Sequence, residues 1–332
     1  MAQAVPMVEL WRGGLLESRH LGHAVICGPD GQIVQAWGDP GKVIFPRSSC
    51  KMLQALPLVE SGAADAGGLT DAQLALSCAS HQGAALHVGA VDRWLTGLGL
   101  HESDLRCGAH EPYDRTERDR LIRGAEAPCQ YHNNCSGKHA GMLTWVRHMK
   151  AGSEYVEPDH PLQRAIRDAF EATTGENSPG FGIDGCSAPN FATTLLGLAR
   201  SMAFFANAPD SGDARSRAAY RLTRAMAAHP EFVAGEGRAC TELMRAMGGR
   251  VALKTGAEAV FIAILPDQGL GIALKIEDGS GRASECAIAA LLVSLGALEA
   301  DHPATRKRLN ARQVNWRGID TGVLAAAPGF PV

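Results

Sequence analysis

The residues of this chain best placed to do chemistry together are Ser48 and Lys51, three positions apart. On a helix, positions i and i+3 share one face, so the hydroxyl and the amine can meet. Much later the chain carries Lys254-Thr255-Gly256. A serine–lysine pair followed by Lys-Thr-Gly is typical of acyl transfer by a serine whose base is a lysine. Either motif alone is common by chance, but their order favours this chemistry.

This chemistry requires a further serine between the nucleophile and the second lysine. Ser80 is the candidate, because it follows an apolar helical segment within a predicted turn. The alternative is an ordinary helix C-terminus ended by Gly83. A lysine must be neutral to accept a proton, and burial together with a second positive charge favours the neutral amine. We therefore expect at least one of Lys51 and Lys254 to be neutral.

Thiols occur in three polar turns, at Cys135, Cys186 and Cys240. The polar groups near the first two are Lys138, His139 and Asp184. Sulfur, amine and carboxylate donors would suit zinc. However, the spacing is not that of a zinc finger and a lysine ligand is rare, so spacing alone favours packed thiols over a metal site.

Composition limits the class of protein. The chain has 332 residues, 45% of them hydrophobic and 20% charged, with a formal charge of -3. These values are typical of a globular protein and predict neither a nucleic-acid partner nor an anionic membrane surface. The N-terminus lacks a signal-peptide pattern, and no apolar run approaches the roughly 20 residues of a membrane span. The nine cysteines are accordingly expected to be reduced thiols in a cytoplasmic protein.

Two predicted hairpins and the sequence between them define the expected fold. Strand-like segments 23–27 and 32–37 flank a Gly-Pro-Asp-Gly turn, and 259–265 and 270–276 flank a second turn. The predicted helices are 48–61, which Pro46 and Ser48 would begin, then 70–77, 87–98, 116–125, 138–149, 161–173, 190–207, 214–227 and 283–298.

Strands at both ends with helices between them predict an α/β protein of the α+β type, with one antiparallel sheet and a large inserted helical lobe. We predict one two-lobed domain over 1–332. Its sheet would come from about 1–45 and 250–332, and its helical lobe from about 46–249.

The chain resembles the class 3 (Rhizobium etli-type) L-asparaginases over nearly its whole length. The densest matches are Pro46 to Lys51, Asn133 to His139, Asp184 to Pro189 and Val233 to Gly235. The resemblance implies a fold like that of serine β-lactamases and glutaminases. It also implies a homodimer that hydrolyses L-asparagine to L-aspartate and ammonia.

The resemblance also assigns roles residue by residue. Ser48 and Lys51 match the family's first serine–lysine pair, and Ser80 with Lys254 match the second. Its zinc ligands are matched by Cys135, Lys138 and Cys186, which reverses the preference drawn from spacing. The metal would be structural or substrate-positioning, and no organic cofactor is expected.

By analogy with the lactamase fold, backbone N–H groups of Ser48 and Ala257 would hold the oxyanion. The residues expected to recognise the substrate are Arg47, His139, Asp184 and Cys240.

Three other functions remain open from the sequence. A β-lactamase or peptidase would share the serine–lysine and Lys-Thr-Gly elements, although those enzymes act outside the cytoplasm. A glutaminase differs in its substrate by one methylene, worth only about 1–3 kcal/mol in a pocket. A non-catalytic protein would bind amino acid or zinc without releasing ammonia.

Overall fold

The computed structural model describes residues 3–331, which group into two compact units. The first unit takes the chain up to Ser49, then Thr193–Asn207, and then everything from Glu242 onward. The second takes Cys50–Ala192 and Ala208–Thr241. The single domain over 1–332 stays a prediction, and its end positions 1, 2 and 332 lie outside the described residues.

The first unit is built on an antiparallel sheet of eight strands, drawn from both ends of the chain, which confirms the predicted fold class. Seven strands follow one another across the sheet in the order Ala311–Val314, Asp320–Ala326, Val5–Arg12, Leu15–Cys27, Leu270–Ile276, Val260–Leu265 and Ala252–Thr255. The eighth strand, Ile33–Trp37, pairs with the C-terminal end of Leu15–Cys27.

Both predicted hairpins are confirmed. Ala24 lies opposite Trp37 in the first, and Leu274 lies opposite Phe261 in the second. Every residue of Val260–Leu265 is buried. Because successive strand side chains point to opposite faces, the sheet is covered on both sides there.

Two long helices of this unit, Leu195–Asn207 and Gly281–Ser294, contact these central strands. A Cβ on Gly271 would lie 2.0 Å from Ala203 N, so only glycine lets the first helix approach the strand so closely. The second helix ends at Ser294, before the predicted 298, because the chain turns at Gly296 with φ +67.

The predicted helix 190–207 is wrong in its first turn. Pro189–Phe191 pairs with Phe181–Ile183, and Thr193–Thr194 pairs with Val43–Ile44, so the helix begins only at Leu195. The first unit also contains Pro303–Arg306 and the short 3₁₀ turns Ala257–Ala259 and Pro266–Gln268, while Ala239–Ala246 crosses from the second unit into it.

The second unit is mainly helical. Its α-helices are Lys51–Gln54, Leu56–Glu60, Ala63–Ala66, Asp71–Ser77, Ala85–Gly97, Arg115–Arg123, Ser136–Met149, Pro161–Thr174, Ala214–Ala228 and Pro230–Val233. Two 3₁₀ turns, Glu102–Asp104 and Gln130–His132, connect some of them.

Local sequence explains where these helices begin and break. Thr70 caps Asp71–Ser77 through a capping box with Gln73, as Thr-x-x-Gln predicts. The prediction of one continuous helix over 48–61 is wrong. Pro57 has no N–H to donate to the preceding turn, so the chain restarts as a new helix after Ala55. Within 3–331, no helix combines the length and apolar character needed to cross a membrane.

Candidate active site

Ser48 lies in a tight turn at the end of the first segment of the sheet unit. It belongs to the 3₁₀ turn Arg47–Cys50, not to a helix cap as expected. The turn is closed by Ser49, whose N–H and hydroxyl both donate to Pro46 O, at 3.2 and 2.7 Å. Arg47 has φ +53, which is costly for a residue with a side chain; such strained residues cluster at functional sites. Ser48 is half-buried.

Lys254-Thr255-Gly256 packs against this turn within the same unit. A Cβ on Gly256 would lie 2.7 Å from Pro46 O and 3.0 Å from Ser49 N, so glycine is required for this approach. Lys254 is 1% exposed in its strand, and its Nζ donates to Thr255 O at 2.7 Å. The following 3₁₀ turn starts at Ala257 and has left-handed residues at Glu258 and Ala259. The sequence-predicted Ser48 and Ala257 are therefore carried by two segments that pack together.

In the second unit, Lys51 is 1% exposed and links two of the predicted site segments. Its Nζ donates to Ala79 O and, at 3.1 Å, to Cys135 Sγ. Ala79 precedes Ser80, so one amine holds the Ser80 turn beside the first thiol.

The Ser80 turn is fixed by backbone contacts. Ser80 N donates to Val233 O at 2.9 Å, and Gln82 O accepts from Asp114 N at 2.8 Å. A Cβ on Gly235 would lie 2.5 Å from the Gln82 side chain. The Val233 to Gly235 segment, noted in the sequence only as a family match, thus supports the turn that carries Ser80.

The second unit also brings together Cys135, Lys138 and Cys186. Cys135 caps the helix Ser136–Met149, so Lys138 lies one turn along the same face. Lys138 Nζ donates to Cys186 Sγ at 3.1 Å. A hydrogen bond with Cys135, together with the charge of Lys138, holds the pKa of Cys186 well below its usual range despite burial.

The pKa values of the two partner groups, Cys135 and Lys138, shift in the opposite direction. The interaction with Cys186, and then burial, raises the pKa of Cys135 well above its usual range. Burial alone would lower the pKa of Lys138, but Cys186, Cys135 and Asp184 together raise it. These shifts favour a thiolate at Cys186 beside a Cys135 thiol and a Lys138 ammonium group.

This donor set is chemically suited to zinc. In a tetrahedral site the distance between a nitrogen and a sulfur ligand is about 3.6 Å, whereas Lys138 Nζ and Cys186 Sγ are 3.1 Å apart, the separation of a hydrogen bond. Among residues 3–331 there is no group of three or more His, Cys, Asp or Glu side chains that could hold a metal. Here two thiols are completed by a lysine, which would have to bind as the neutral amine.

His139 is fully buried beside this cluster and is oriented by Tyr155, which the sequence reasoning missed. Tyr155 Oη accepts from Arg106 N at 2.8 Å and lies 2.8 Å from His139 Nδ1. With the tyrosine hydrogen donated to Nδ1, the ring proton lies on Nε2, which is buried and makes no hydrogen bond to the described residues. Burial lowers the pKa of His139, although its interaction with Cys186 opposes this. No local pattern links Tyr155 to the site.

The remaining predicted substrate-binding residues lie in different settings. Asp184 is half-buried in a turn closed by Asp184 N to Ala188 O, at 3.0 Å, and its carboxylate accepts from Gly185 N at 2.8 Å. Cys240 is buried in the first turn of Ala239–Ala246. Arg47 belongs to the first unit, with Ser48.

Comparison with known proteins identifies the family. The model of the L-asparaginase II family matches residues 8–326, and the chain belongs to this family. The family makes the chain an amidohydrolase acting on a small-molecule substrate. No curated protein matches the sequence.

Solved structures resemble the chain weakly. A structure of Mglu shares 14% identity over 85% of this chain and 68% of that chain, with a TM-score of 0.49. Mglu in its tris and glutamate form has the same identity and TM-score over 91% of this chain and 64% of that chain. The chain therefore spans about two thirds of these Mglu chains. A beta-lactamase from Mycobacterium bovis shares 13% identity over 83% of this chain and 95% of that chain, with a TM-score of 0.36.

Proposed function

We propose that this protein is an L-asparagine amidohydrolase that produces L-aspartate and ammonia through an ester on Ser48. The family match over residues 8–326 supports the amide-cleaving chemistry. The observation that carries the serine mechanism is the environment of Lys51. Its buried Nζ donates to Ala79 O and Cys135 Sγ, which fixes the amine beside the Ser80 turn.

In the first step, Lys51 accepts the proton of Ser48 Oγ, and the oxygen attacks the side-chain amide carbon of asparagine. The oxyanion accepts hydrogen bonds from the backbone N–H groups of Ser48 and Ala257, each worth on the order of 3 kcal/mol. The packing of the Gly256 segment against the Ser48 turn supports this pairing.

The second pair, Ser80 and Lys254, delivers a proton to the departing ammonia. The C–N bond breaks as the β-aspartyl ester on Ser48 is completed. Water then attacks the ester, releasing aspartate and restoring the hydroxyl. The burial of Lys254 and the hydrogen-bonded backbone around Ser80 support these roles.

Charged groups are needed for the two α-substituents of asparagine. We assign Asp184 to the α-amino group, with Arg47, His139 and Cys240 completing the recognition residues. Cys135, Lys138 and Cys186 would hold zinc. A bound zinc ion would supply a fixed positive charge at this end of the substrate. We further propose a cytoplasmic homodimer without a nucleic-acid partner.

The test is ammonia release from L-asparagine by the purified protein and by Ser48→Ala. We expect turnover by the wild type and loss of at least about a thousandfold in the variant, as for other removed nucleophiles. Near-wild-type turnover by Ser48→Ala would refute the serine mechanism. Parallel assays with L-glutamine and nitrocefin identify a glutaminase or a lactamase. Binding of asparagine without ammonia would identify a non-catalytic protein, and a chelator arm measures the dependence on zinc.

A further inference from the structure

A buried imidazole joins the Ser80 turn to the segment that carries Cys135. His81 is fully buried, and its backbone N–H donates to Asn134 O at 3.2 Å. Its side chain closes its own turn, because Gly83 N donates to His81 Nδ1 at 3.1 Å. Since Nδ1 is the acceptor, the ring proton must lie on Nε2.

Through that proton, His81 forms a hydrogen bond to the first residue of the helix Ser136–Met149. His81 Nε2 lies 2.9 Å from Ser136 Oγ, whose own hydrogen is donated to Tyr131 O at 2.9 Å. Each hydroxyl has one hydrogen, so His81 must be the donor in the first of these bonds. The chain of hydrogen bonds therefore runs in one direction, and it requires a neutral imidazole with one tautomer.

A second histidine holds His81 in place. The His87 ring stacks on it, with centroids 4.8 Å apart and an interplanar angle of 7°. His87 Nε2 donates to Glu231 O at 2.8 Å, near Val233, whose carbonyl accepts from Ser80 N. Burial and the neighbouring His87 lower the pKa of His81 well below its usual range, which keeps the required neutral form.

We propose that His81 is a positioning residue for Ser80, fixing the Ser80 turn against the turn that ends at Ser136. This inference rests on the proposed function of Ser80. The imidazole bonds to the Ser80 turn through Gly83 and to the helix through Ser136, so it links the two segments directly. It thereby fixes the place of Ser80 relative to Cys135, which directly precedes Ser136.

The test compares His81→Met, His81→Gln and Ser136→Ala by steady-state ammonia release. Methionine removes both side-chain bonds, whereas the glutamine amide can still donate to Ser136. Since a displacement of about 1 Å can cost about a hundredfold in rate, we expect His81→Met and Ser136→Ala to lower kcat at least about tenfold with KM within about threefold. His81→Gln should recover most of kcat.

Thr144→Val is the matched control. It lies on the same helix and loses another buried hydrogen bond, from Trp94 Nε1 at 3.1 Å, so its kcat should stay within about twofold. Wild-type kcat in both His81→Met and Ser136→Ala, or an equal loss in Thr144→Val, would overturn the proposal.

Amide hydrogen exchange separates this inference from the proposed function. The Ser80 and Gly83 amides should exchange at least about tenfold faster in His81→Met than in Thr144→Val. If the wild type releases no ammonia from asparagine, the proposed function fails while this measurement still decides the role of His81. Unchanged exchange would refute it.

Discussion

The close packing of Gly256 against the Ser48 turn gives the sharpest structural prediction. In Gly256→Ala the new Cβ would lie 2.7 Å from Pro46 O and 3.0 Å from Ser49 N. Ordinary contact begins at 3.4 Å, so the Pro46 carbonyl must retreat by about 0.7 Å. Both neighbours are backbone atoms and cannot rotate away. The backbone of Gly256 itself, with φ -116, suits alanine, so the effect is steric alone.

The magnitude follows from that displacement. Overpacking of a well-packed region typically costs about 1–3 kcal/mol, which we expect as a lower free energy of unfolding. Because the displaced turn carries Ser48, we also expect kcat/KM for ammonia release to fall about ten- to a hundredfold. Urea denaturation and steady-state kinetics measure the two effects separately.

Gly281→Ala is the matched control. It lies in the same unit, and nothing lies within 4 Å of its Cβ position, so its turnover should match the wild type and its stability should be equal or up to about 1 kcal/mol higher. If Gly256→Ala behaves like this control in both assays, the Lys254 segment does not pack tightly on the Ser48 turn.

Two further predictions concern stability. Tyr155→Phe leaves the part-buried Arg106 N–H and the buried His139 Nδ1 without partners, so unfolding in urea should become easier by about 1–3 kcal/mol. In Glu117→Gln, stability at pH 7 should fall by about 1 kcal/mol or less, since Arg120 is half exposed. The Arg120 hydrogen bond, opposed by burial and helped by His132, lowers the pKa of Glu117. The contribution of Glu117 to stability is therefore present above its unfolded-state pKa of about 4.3. It is lost as the pH falls through the lower folded-state pKa, where the stabilities of wild type and variant should converge.

Matched variants test both predictions. Tyr113 is 65% exposed, so Tyr113→Phe should change stability by less than about 0.5 kcal/mol. Equal losses in the two tyrosine variants would contradict the buried role of Tyr155. A stability difference between wild type and Glu117→Gln that stays constant from pH 7 to pH 3 would contradict the charge-based account.

Local signals predicted the elements of the fold better than their exact limits. Thr70 and Gln73 form the box that their spacing predicts, because capping depends on residues a single turn apart. The apolar pattern over 48–61 predicts one long helix, but Pro57 divides it into shorter ones. The helix that ends at Asn207 begins later than its sequence predicts, because residues 189–191 and 193–194 pair as strands. Pairing partners far along the chain leave little mark on local periodicity.

The candidate site shows the same division between local and distant information. Cys135 and Lys138 share a helix face because they are three residues apart, and this could be derived from sequence alone. Cys186 comes from a turn in which Ser187 adopts φ +69, and neither the turn nor its contact with Lys138 follows from spacing.

The same holds for His81 with Ser136 and for Tyr155 with His139, whose pairing depends on tertiary packing. Motifs therefore predict which groups react, while the contacts that would fix their protons and positions are visible only in the fold. Replacing the reactive groups tests the chemistry. Only replacing the distant partners tests whether this geometry is the one that the chemistry uses.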